Sequence, residues 1–557
     1  MAIPAIICIC ACIAYYNSFN GPFVFDDIQA IVENPSIQDM SDVSAIFFPP
    51  LSATGAVGRP LVNASFALNH AAFDTDVRGY HATNLLIHLF ASLLLFGVLR
   101  RTFLRASSVP LRGHAAHLAG AVALLWSVHP LLTESVTAVV QRNESMAGMF
   151  MLGTFYGFLR SLESKSIRLW LGIAVGSCLL GTASKEITAV CPVLLVIYDR
   201  LFVAERASQL WGKRKWFYVS LFATYGLLLY LVFHTEGRNQ TVGFDLGISW
   251  WQYLCTQCAG IPRYLGLAFW PVNLVFDYGN AIVVSPIKVI PGAVLLVALV
   301  GATVWVLFRK SQLGFLGIWF FVILAPSSSI LPLTSQTLAE HRMYLPLISV
   351  IVAVVLLLHY VLQRRWWIAV VCLAPLLMVR TVSRNNDYSS AMCIWSDTVQ
   401  KVPLNPRAHN GVGIAYSALG DEAAAASSFQ RAVQQAPENA SYQYNLGSSL
   451  LSLGNPDGAI AAFQKAVQFR PEYEKAHNDL GNALAMVHRY SDALAHFQRA
   501  ARLNAQSPMV WMNLANTYVA VQQYDKAASA YQRVLTLEPD NPEARQNLRY
   551  LQKKRQR

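Results

Sequence analysis

The chain has 557 residues, of which 54% are hydrophobic and 13% are charged, and its mean hydropathy is +0.38. Soluble domains carry roughly 25% charged residues, so this composition excludes a wholly soluble protein, and the length favours two or more domains. The net charge of +12 arises from short basic clusters between apolar runs, a pattern that argues against a nucleic-acid-binding protein.

Apolar runs of spanning length, or nearly so, recur along the first part of the chain and predict about eleven transmembrane helices. The first run could instead be a cleaved signal peptide, but it lacks a basic start and a small-residue cleavage site. The segment 249–270 is rich in Trp and Tyr and predicts an interfacial or re-entrant helix. The predicted spans are residues 2–16, 84–104, 115–128, 145–159, 168–183, 187–203, 216–233, 289–308, 313–331, 343–362 and 366–382.

The loops between these spans differ in charge. One set consists of short loops with sixteen Lys and Arg residues, whereas the opposite set is longer in total and collects Asp and Glu. Basic loops lie on the cytoplasmic side, so the N-terminus is predicted to be cytoplasmic. An odd number of spans then places everything after residue 383 on the other side, in a periplasmic or lumenal compartment.

Beyond residue 405 the sequence repeats every 34 residues. One repeated column holds a small residue and another a large aromatic one, which is what two antiparallel helices need to interdigitate and stack. The pattern resembles the tetratricopeptide repeat. Together, the apolar runs and the repeat predict an all-α chain. A membrane domain (1–383) and a linker (384–405) precede four repeats in an α-solenoid (406–541) and a basic polar cap (542–557). The two columns are Gly413, Gly447, Gly481 and Ala515, and Phe429, Phe463, Phe497 and Tyr531.

Asparagines on the first helices of the repeats are candidates for gripping a peptide backbone. The alternative is that asparagine is ordinary at these positions of the repeat. In either case a solenoid groove is more often a protein-binding surface than a catalytic one, so the array predicts a protein partner. The candidates are Asn445, Asn478, Asn482, Asn513 and Asn516.

Polar residues near membrane depth are costly unless they have partners or a function, and those of this chain cluster on the predicted outer side. Carboxylates beside cations suit the transfer of a group from a lipid-phosphate donor: the cations neutralise the phosphate, and a carboxylate takes the proton of the attacking hydroxyl. Asp26 and Asp27 are the candidate catalytic residues. The candidates for binding substrate or phosphate are Arg59, His81, His129, Glu134, Arg142, Lys185, Glu186 and Arg342.

Each candidate also has a plain structural interpretation. The Asp26-Asp27 pair could be a solvated acidic loop, and Lys185-Glu186 a pair at the membrane interface. Arg142 and Arg342 could only anchor helix ends. His81 lies seven residues before His88 and could be a buried polar contact, since a metal site would need a third ligand; no metal is predicted.

The order of these motifs resembles a known family. Phe25-Asp26-Asp27, His129-Pro130 with Thr133-Glu134, Lys185-Glu186 and Glu340-His341-Arg342-Met343-Tyr344-Leu345-Pro346 precede tetratricopeptide repeats, as in the transmembrane and tetratricopeptide repeat-containing family of O-mannosyltransferases. These belong to the wider C-type (GT-C) class of membrane glycosyltransferases.

The resemblance implies inverting transfer of a sugar, mannose in the eukaryotic members, from a polyprenyl-phosphate donor to Ser or Thr of a lumenal protein, without a cofactor. Asp26 or Asp27 would be the base, and the cations that face the phosphate would come from Arg59, Arg142, Lys185 and Arg342.

Two features depart from the eukaryotic pattern: the array has only four repeats, and His341 lies within the Glu-Arg part of the last motif. The short array favours a bacterial inner membrane over the endoplasmic reticulum, with an undecaprenyl-phosphate hexose as donor. The alternatives are a non-catalytic membrane scaffold and a transferase that acts on a lipid or glycan.

Overall fold

The computed structural model describes residues 2–50, 56–204, 207–234, 247–329, 332–333 and 336–555. Over these ranges the chain is helical and forms no β-strand, which confirms the all-α fold. It divides into two compact units, Met1–Lys401 and Val402–Arg557.

The first unit has seventeen α-helices within the described ranges. They are α1 (Ala2–Tyr15), α2 (Val43–Phe47), α3 (Pro60–Phe73), α4 (Val77–Leu104), α5 (Val109–Gly113), α6 (Ala115–Ser127), α7 (Thr133–Thr137), α8 (Arg142–Ser161), α9 (Ile167–Thr182), α10 (Cys191–Phe202), α11 (Ala207–His234), α12 (Trp250–Phe269), α13 (Pro286–Phe308), α14 (Gly314–Leu324), α15 (Pro346–Leu362), α16 (Trp366–Asp387) and α17 (Ala391–Lys401).

A helix lies at each of the eleven predicted spans, but fewer have the length and apolarity needed to cross a membrane. Among the described residues, five segments do, and α6 with Pro130–Thr137 makes a sixth if this pair, bent by 56°, is one span. The helices α9 and α14 are apolar but shorter. The count of eleven therefore stays a prediction. The five segments are Ala2–Asn20, Val77–Leu104, Arg214–His234, Pro286–Phe308 and Pro346–Asp387.

The segment 249–270 forms the single helix α12, which begins at a capping box. Ser249 accepts a hydrogen bond from the Gln252 backbone, and the Gln252 side chain accepts one in return, so two amides at the helix start are satisfied. Trp250 and Trp251 are exposed at this end. Exposed Trp side chains are typical of a helix end at the membrane interface.

The stretch 384–405, which was predicted as a linker, is mostly helical. The helix α16 continues to Asp387, and α17 follows after three residues. The indole of Trp395 in α17 is buried, with its ring centroid 5.5 Å from that of Phe25 and 5.2 Å from that of Phe276. The polar residues between the two helices resemble a linker in sequence, whereas packing of the apolar face of α17 orders the segment.

The second unit is a stack of helix pairs in which each first helix packs on its second. A Cβ added to Gly413, Gly447 or Gly481 would lie 2.5, 2.7 or 2.7 Å from the ring of the partner phenylalanine, so only glycine lets the helices approach this closely. The predicted contact of small and aromatic residues is confirmed. The helices are α18 (Pro406–Ala418), α19 (Glu422–Gln435), α20 (Ala440–Ser452), α21 (Pro456–Phe469), α22 (Glu474–Met486), α23 (Tyr490–Leu503), α24 (Pro508–Ala520), α25 (Tyr524–Leu537) and α26 (Pro542–Arg555).

A repeated hydrogen bond, here named the carbonyl clamp, fixes the entry to each first helix. A side chain in the first turn bonds the backbone carbonyl six residues earlier, which would otherwise lack a helical partner. The clamp recurs in α26, so the predicted polar cap is a helix in the register of the first helices. The pairs are His409 Nε2 with Pro403 O (2.9 Å), Gln443 Nε2 with Pro437 O (2.8 Å), His477 Nε2 with Pro471 O (3.2 Å), Trp511 Nε1 with Ala505 O (3.0 Å) and Arg545 Nη2 with Pro539 O (2.6 Å).

Candidate functional site

The two candidate catalytic acids occupy different environments. Asp27 is 1% exposed, and its carboxylate accepts hydrogen bonds from the backbone amides of Val24 (3.0 Å) and Val140 (2.6 Å). Burial raises the pKa of Asp27 to about 7, although these amides and that of Val139 pull it down. Asp27 thus ties the first predicted outer loop to the second, while Asp26 is only partly buried.

The guanidinium of Arg142 is fully buried and surrounded by protein groups. Its Nε donates to Asn84 Oδ1 (2.6 Å), its Nη2 donates to the Tyr80 carbonyl (3.1 Å), and its Nη1 donates to Ser65. The ring of Phe66 lies 4.7 Å beneath it. All three guanidinium nitrogens are engaged, so Arg142 joins α3, α4 and α8 in the structure rather than facing a phosphate.

Arg342 is engaged in the same way. Its Nη1 donates to the carbonyls of Ser327 (2.8 Å) and Thr337 (3.0 Å), and its Nη2 donates to the Gln336 carbonyl (2.5 Å). Arg342 is 5% exposed. Backbone carbonyls of the segment after α14 therefore surround this cation, which supports the helix-anchoring interpretation.

The predicted histidines bond backbone carbonyls. His81 Nε2 lies 3.0 Å from the Gly21 carbonyl, and His129 Nε2 lies 3.1 Å from the Ala268 carbonyl. His88 bonds the Tyr344 hydroxyl and the Ser127 carbonyl, each at 2.9 Å. In the part of the chain that the structure describes, no three His, Cys, Asp or Glu side chains are placed to hold a metal ion. These histidines hold the outer segments together.

Glu134 and His341 form a buried pair. Glu134 Oε1 lies 2.7 Å from His341 Nδ1, and Glu134 Oε2 accepts the His341 backbone amide at 3.1 Å. This double contact fixes the orientation of the imidazole ring. Burial, with the Lys185 ammonium nearby, holds the pKa of His341 well below its usual range. The His341 side chain keeps 9% exposure.

A second pair, of a buried glutamate and a partly buried lysine, lies beside the first. The Lys185 ammonium forms an ion pair with Glu144 and donates to Asn143 Oδ1 (3.1 Å). Burial lowers the pKa of Lys185, and the Glu144 carboxylate partly offsets this. Arg59, which is partly buried, acts electrostatically on both Lys185 and His341. We name the five residues Arg59, Glu134, Glu144, Lys185 and His341 the outer charge cluster, after the predicted outer loops in which they stand.

The structure thus brings together three of the predicted substrate-binding residues, Arg59, Glu134 and Lys185. Glu186 lies next to this cluster and acts electrostatically on Lys185. Glu144 and His341 complete the cluster without being among the predicted site residues. Their signal in the sequence was present, because both stand in polar motifs of the predicted outer loops.

Two further buried charges were missed. Arg384 at the end of α16 donates to Asp387 and Asp397, each at 2.8 Å, and it acts electrostatically on Glu134. Asp277 is 1% exposed and also acts on Glu134. Asp277 stands among aromatic residues after α12, and an acid in such a segment is a usable signal. Arg384 lies in the segment that was expected to be a linker, so no signal in the sequence pointed to it.

Glu340, next to His341, is also buried. Its Oε1 accepts hydrogen bonds from the Val275 amide and the Tyr278 hydroxyl, both at 2.7 Å. Burial raises the pKa of Glu340 to about 7, against the pull of the Arg384 guanidinium. This carboxyl fastens the segment after α12 to the outer charge cluster.

In the second unit, several predicted groove asparagines bond one another across repeats. Asn445 donates to Asn410 Oδ1 (2.8 Å), and Asn513 donates to Asn478 Oδ1 (3.0 Å). Such contacts favour the interpretation that asparagine is structural here. Asn516 accepts the Tyr531 hydroxyl at 2.5 Å. Asn482 is partly exposed.

Comparisons with known proteins identify the repeats and relatives of the chain. Models of the tetratricopeptide repeat match residues 376–440, 413–474, 444–508 and 508–541. The matched region begins before residue 406, in agreement with the helical character of the expected linker. Among curated proteins, the chain is 25% identical over 474 residues to protein O-mannosyl-transferase TMTC4 of Homo sapiens, covering 74% of this chain and 64% of that protein.

The chain is similar in sequence to the TMTC protein O-mannosyl-transferases. It is also 30% identical over 227 residues to protein O-mannosyl-transferase Tmtc3 of Drosophila melanogaster, covering 37% of this chain and 24% of that protein. The chain therefore spans less than two thirds of the length of these TMTC relatives. Among solved structures, the crystal structure of MamA is 19% identical with a TM-score of 0.26, covering 28% of this chain and 86% of MamA.

Proposed function

We propose that the chain is a membrane glycosyltransferase that moves a sugar from a polyprenyl-phosphate donor to Ser or Thr of an extracytoplasmic protein. The observation that carries this proposal is the outer charge cluster, in which cations and carboxylates converge in segments between membrane helices. The names of the TMTC relatives, protein O-mannosyl-transferases, support the same reaction. Mannose or another hexose is the sugar, within a GT-C-like catalytic unit.

The cluster fits an anionic lipid headgroup. Buried charges are retained where they have a function, and Lys185 with Arg59 supplies positive charge for a phosphate. His341 lies within the electrostatic reach of both cations, and Glu134 occupies its Nδ1. Low dielectric strengthens these contacts, and the fixed groups need little reorganisation as charge develops on the leaving phosphate.

Asp26 is the proposed base. In the reaction, the acceptor hydroxyl oxygen attacks the anomeric carbon of the sugar, and the bond from this carbon to the phosphate oxygen breaks. The hydroxyl proton passes to the Asp26 carboxylate, and the polyprenyl phosphate leaves with the electron pair. Asp27 is less suited to this role because both of its oxygens already accept backbone amides.

The repeats recruit the polypeptide acceptor or a protein partner in this proposal. By the charge asymmetry of the loops, the N-terminus is cytoplasmic and the repeats lie with the outer charge cluster on the periplasmic or lumenal side. The inner membrane of a bacterium is the proposed location, with an undecaprenyl-phosphate sugar as donor.

Glycan mass spectrometry of extracytoplasmic proteins tests the proposal in cells that carry the native chain or a variant. We expect Asp26→Asn to lower the yield of specific Ser/Thr hexose adducts by about 10²–10⁴-fold, the usual loss for a general base. Asp39→Asn, on an exposed acid of the same predicted loop, is the matched control and should transfer normally.

Membrane fractionation must find each variant inserted. Identical protein glycans in the native, Asp26→Asn and deletion strains would reject protein O-glycosylation. A non-catalytic scaffold, or a transferase that acts on a lipid or glycan, would then be the better assignment.

A further inference from the structure

An apolar cavity of about 480 Å³ lies between α4, α8, α10, α14 and α15. Its walls include Leu95, Leu99, Leu152 and Ile348, and Lys310 stands at its edge. The residues of α4 that line the cavity lie in its C-terminal half, whereas His81 and the predicted outer segments lie at its N-terminal end. The cavity is therefore at the opposite end of the helices from the outer charge cluster.

Aromatic rings stiffen one wall of this cavity. The ring centroids of Phe155 and Trp319 are 5.4 Å apart, as are those of Tyr198 and Phe315. Tyr198 also stacks on Phe202 at 4.6 Å, and its hydroxyl bonds Thr102 Oγ1 at 2.7 Å. Edge-to-face and stacked rings that support one another make a preformed pocket.

The cavity is nearly as deep as one lipid leaflet. Its α4 wall runs from Leu95 to Phe103, about 12 Å at the helical rise per residue. Its α15 wall runs from Ile348 to Leu356, also about 12 Å. One leaflet contributes about 15 Å of hydrocarbon to a bilayer, so the space matches most of an extended acyl chain.

The edge of the cavity is basic and polar. Lys310 is exposed there, and no ion pair to it is found among the described residues. Glu163, just after α8, is shared by Arg101 and Arg105, each at 3.0 Å. Hydroxyl groups of Ser107, Ser108 and Ser311 line the same edge and can donate hydrogen bonds to an anion.

We propose that this cavity binds one acyl chain of an anionic phospholipid, with the lipid phosphate beside Lys310. The apolar walls, the depth close to that of one leaflet and the uncompensated positive edge each match one part of that lipid. The edge lies among the basic loops that are predicted to be cytoplasmic, where anionic lipids are attracted by Lys and Arg near the membrane surface. This site is separate from the one proposed for the sugar donor.

Photolabelling of the full chain in lipid nanodiscs tests the proposal. The probe is phosphatidylglycerol with a diazirine in one acyl chain, compared with phosphatidylcholine that carries the same chain. We expect phosphatidylglycerol to label peptides of α4 and α14 about fivefold more strongly, the effect of one Lys near a charged headgroup. Lys310→Gln should make the two yields equal, and Leu99→Trp, which fills the cavity, should lower both.

Arg364→Gln is the matched control, because Arg364 is an exposed cation of another loop on the same predicted side, and it should keep the native preference. If Leu99→Trp does not insert, Leu316→Phe fills the opposite wall. Equal labelling by the two lipids in the native chain, or labelling outside the five helices that line the cavity, would overturn the proposal. So would displacement of the label by a polyprenyl phosphate, since the cavity would then belong to the donor.

Discussion

Asp26 and Asp27 are adjacent in the chain and alike in chemistry, yet the fold gives them different environments. Asp27 faces inward and is held by the amides of Val24 and Val140, whereas Asp26 is partly exposed. An acidic pair in a sequence cannot reveal this division, because it depends on where the second outer loop passes. The division is why mutations of the two residues should have different effects.

The titration of Asp27 should appear in the stability of the protein. Its folded pKa of about 7 lies above the usual value of 3.8, so the folded state keeps this proton to higher pH than the unfolded chain does. The stability linked to this proton is complete below about pH 4 and is lost as pH rises through 7. We therefore expect the unfolding temperature of the native chain to fall more between pH 5 and 8 than that of Asp27→Asn, measured in detergent.

Asp39→Asn provides the comparison, because that exposed acid should leave the native pH dependence intact. Parallel curves for the native chain and Asp27→Asn would show that Asp27 does not carry this titration.

At the scale of elements, the ion pair of Lys185 and Glu144 joins the start of α8 to the turn after α9. Lys185→Met should lower the free energy of unfolding by about 3–5 kcal/mol, since it leaves Glu144 charged and buried without a partner. The double variant with Glu144→Gln should regain much of this loss. Thermal unfolding of the two single variants and the double variant measures the coupling; strictly additive losses would contradict it.

The helix pairs of the second unit depend on close packing. Gly447→Ala places a Cβ 2.7 Å from the Phe463 ring, and such overpacking costs about 1–3 kcal/mol. We expect faster amide hydrogen exchange in α20 and α21 of the full chain. Ser448→Ala, at the exposed neighbouring position, is the control and should exchange as the native chain does. Native exchange rates in Gly447→Ala would mean that the helices separate at little cost.

The sequence predicted elements better than contacts, for a physical reason. Helices and repeats follow from local periodicity, and all eleven apolar runs became helical. The partner of a charged side chain depends on the packing of distant segments. Arg142 and Arg342 therefore looked like phosphate ligands but bond their own protein, while Arg384 was overlooked because its segment resembled a linker.

At the scale of the whole molecule, the charge asymmetry of the loops predicts the orientation of the chain. In a bacterial host, alkaline phosphatase fused after residue 557 should be active, and phosphatase fused after Lys310 should be inactive, because the enzyme folds only outside the cytoplasm. Green fluorescent protein at the same two positions should give the reverse pattern. Phosphatase activity of the fusion after Lys310 would instead place the outer charge cluster on the cytoplasmic side.

The carbonyl clamp shows what a search by residue identity overlooks. Its five donors are an imidazole, an amide, a second imidazole, an indole and a guanidinium, so the column has almost no preferred amino acid. What the copies share is a side-chain nitrogen that stands six residues after the carbonyl to which it is hydrogen-bonded. A profile that scores letters gives this position little weight, whereas a profile that scores hydrogen-bond capacity would detect every copy, including the one in α26.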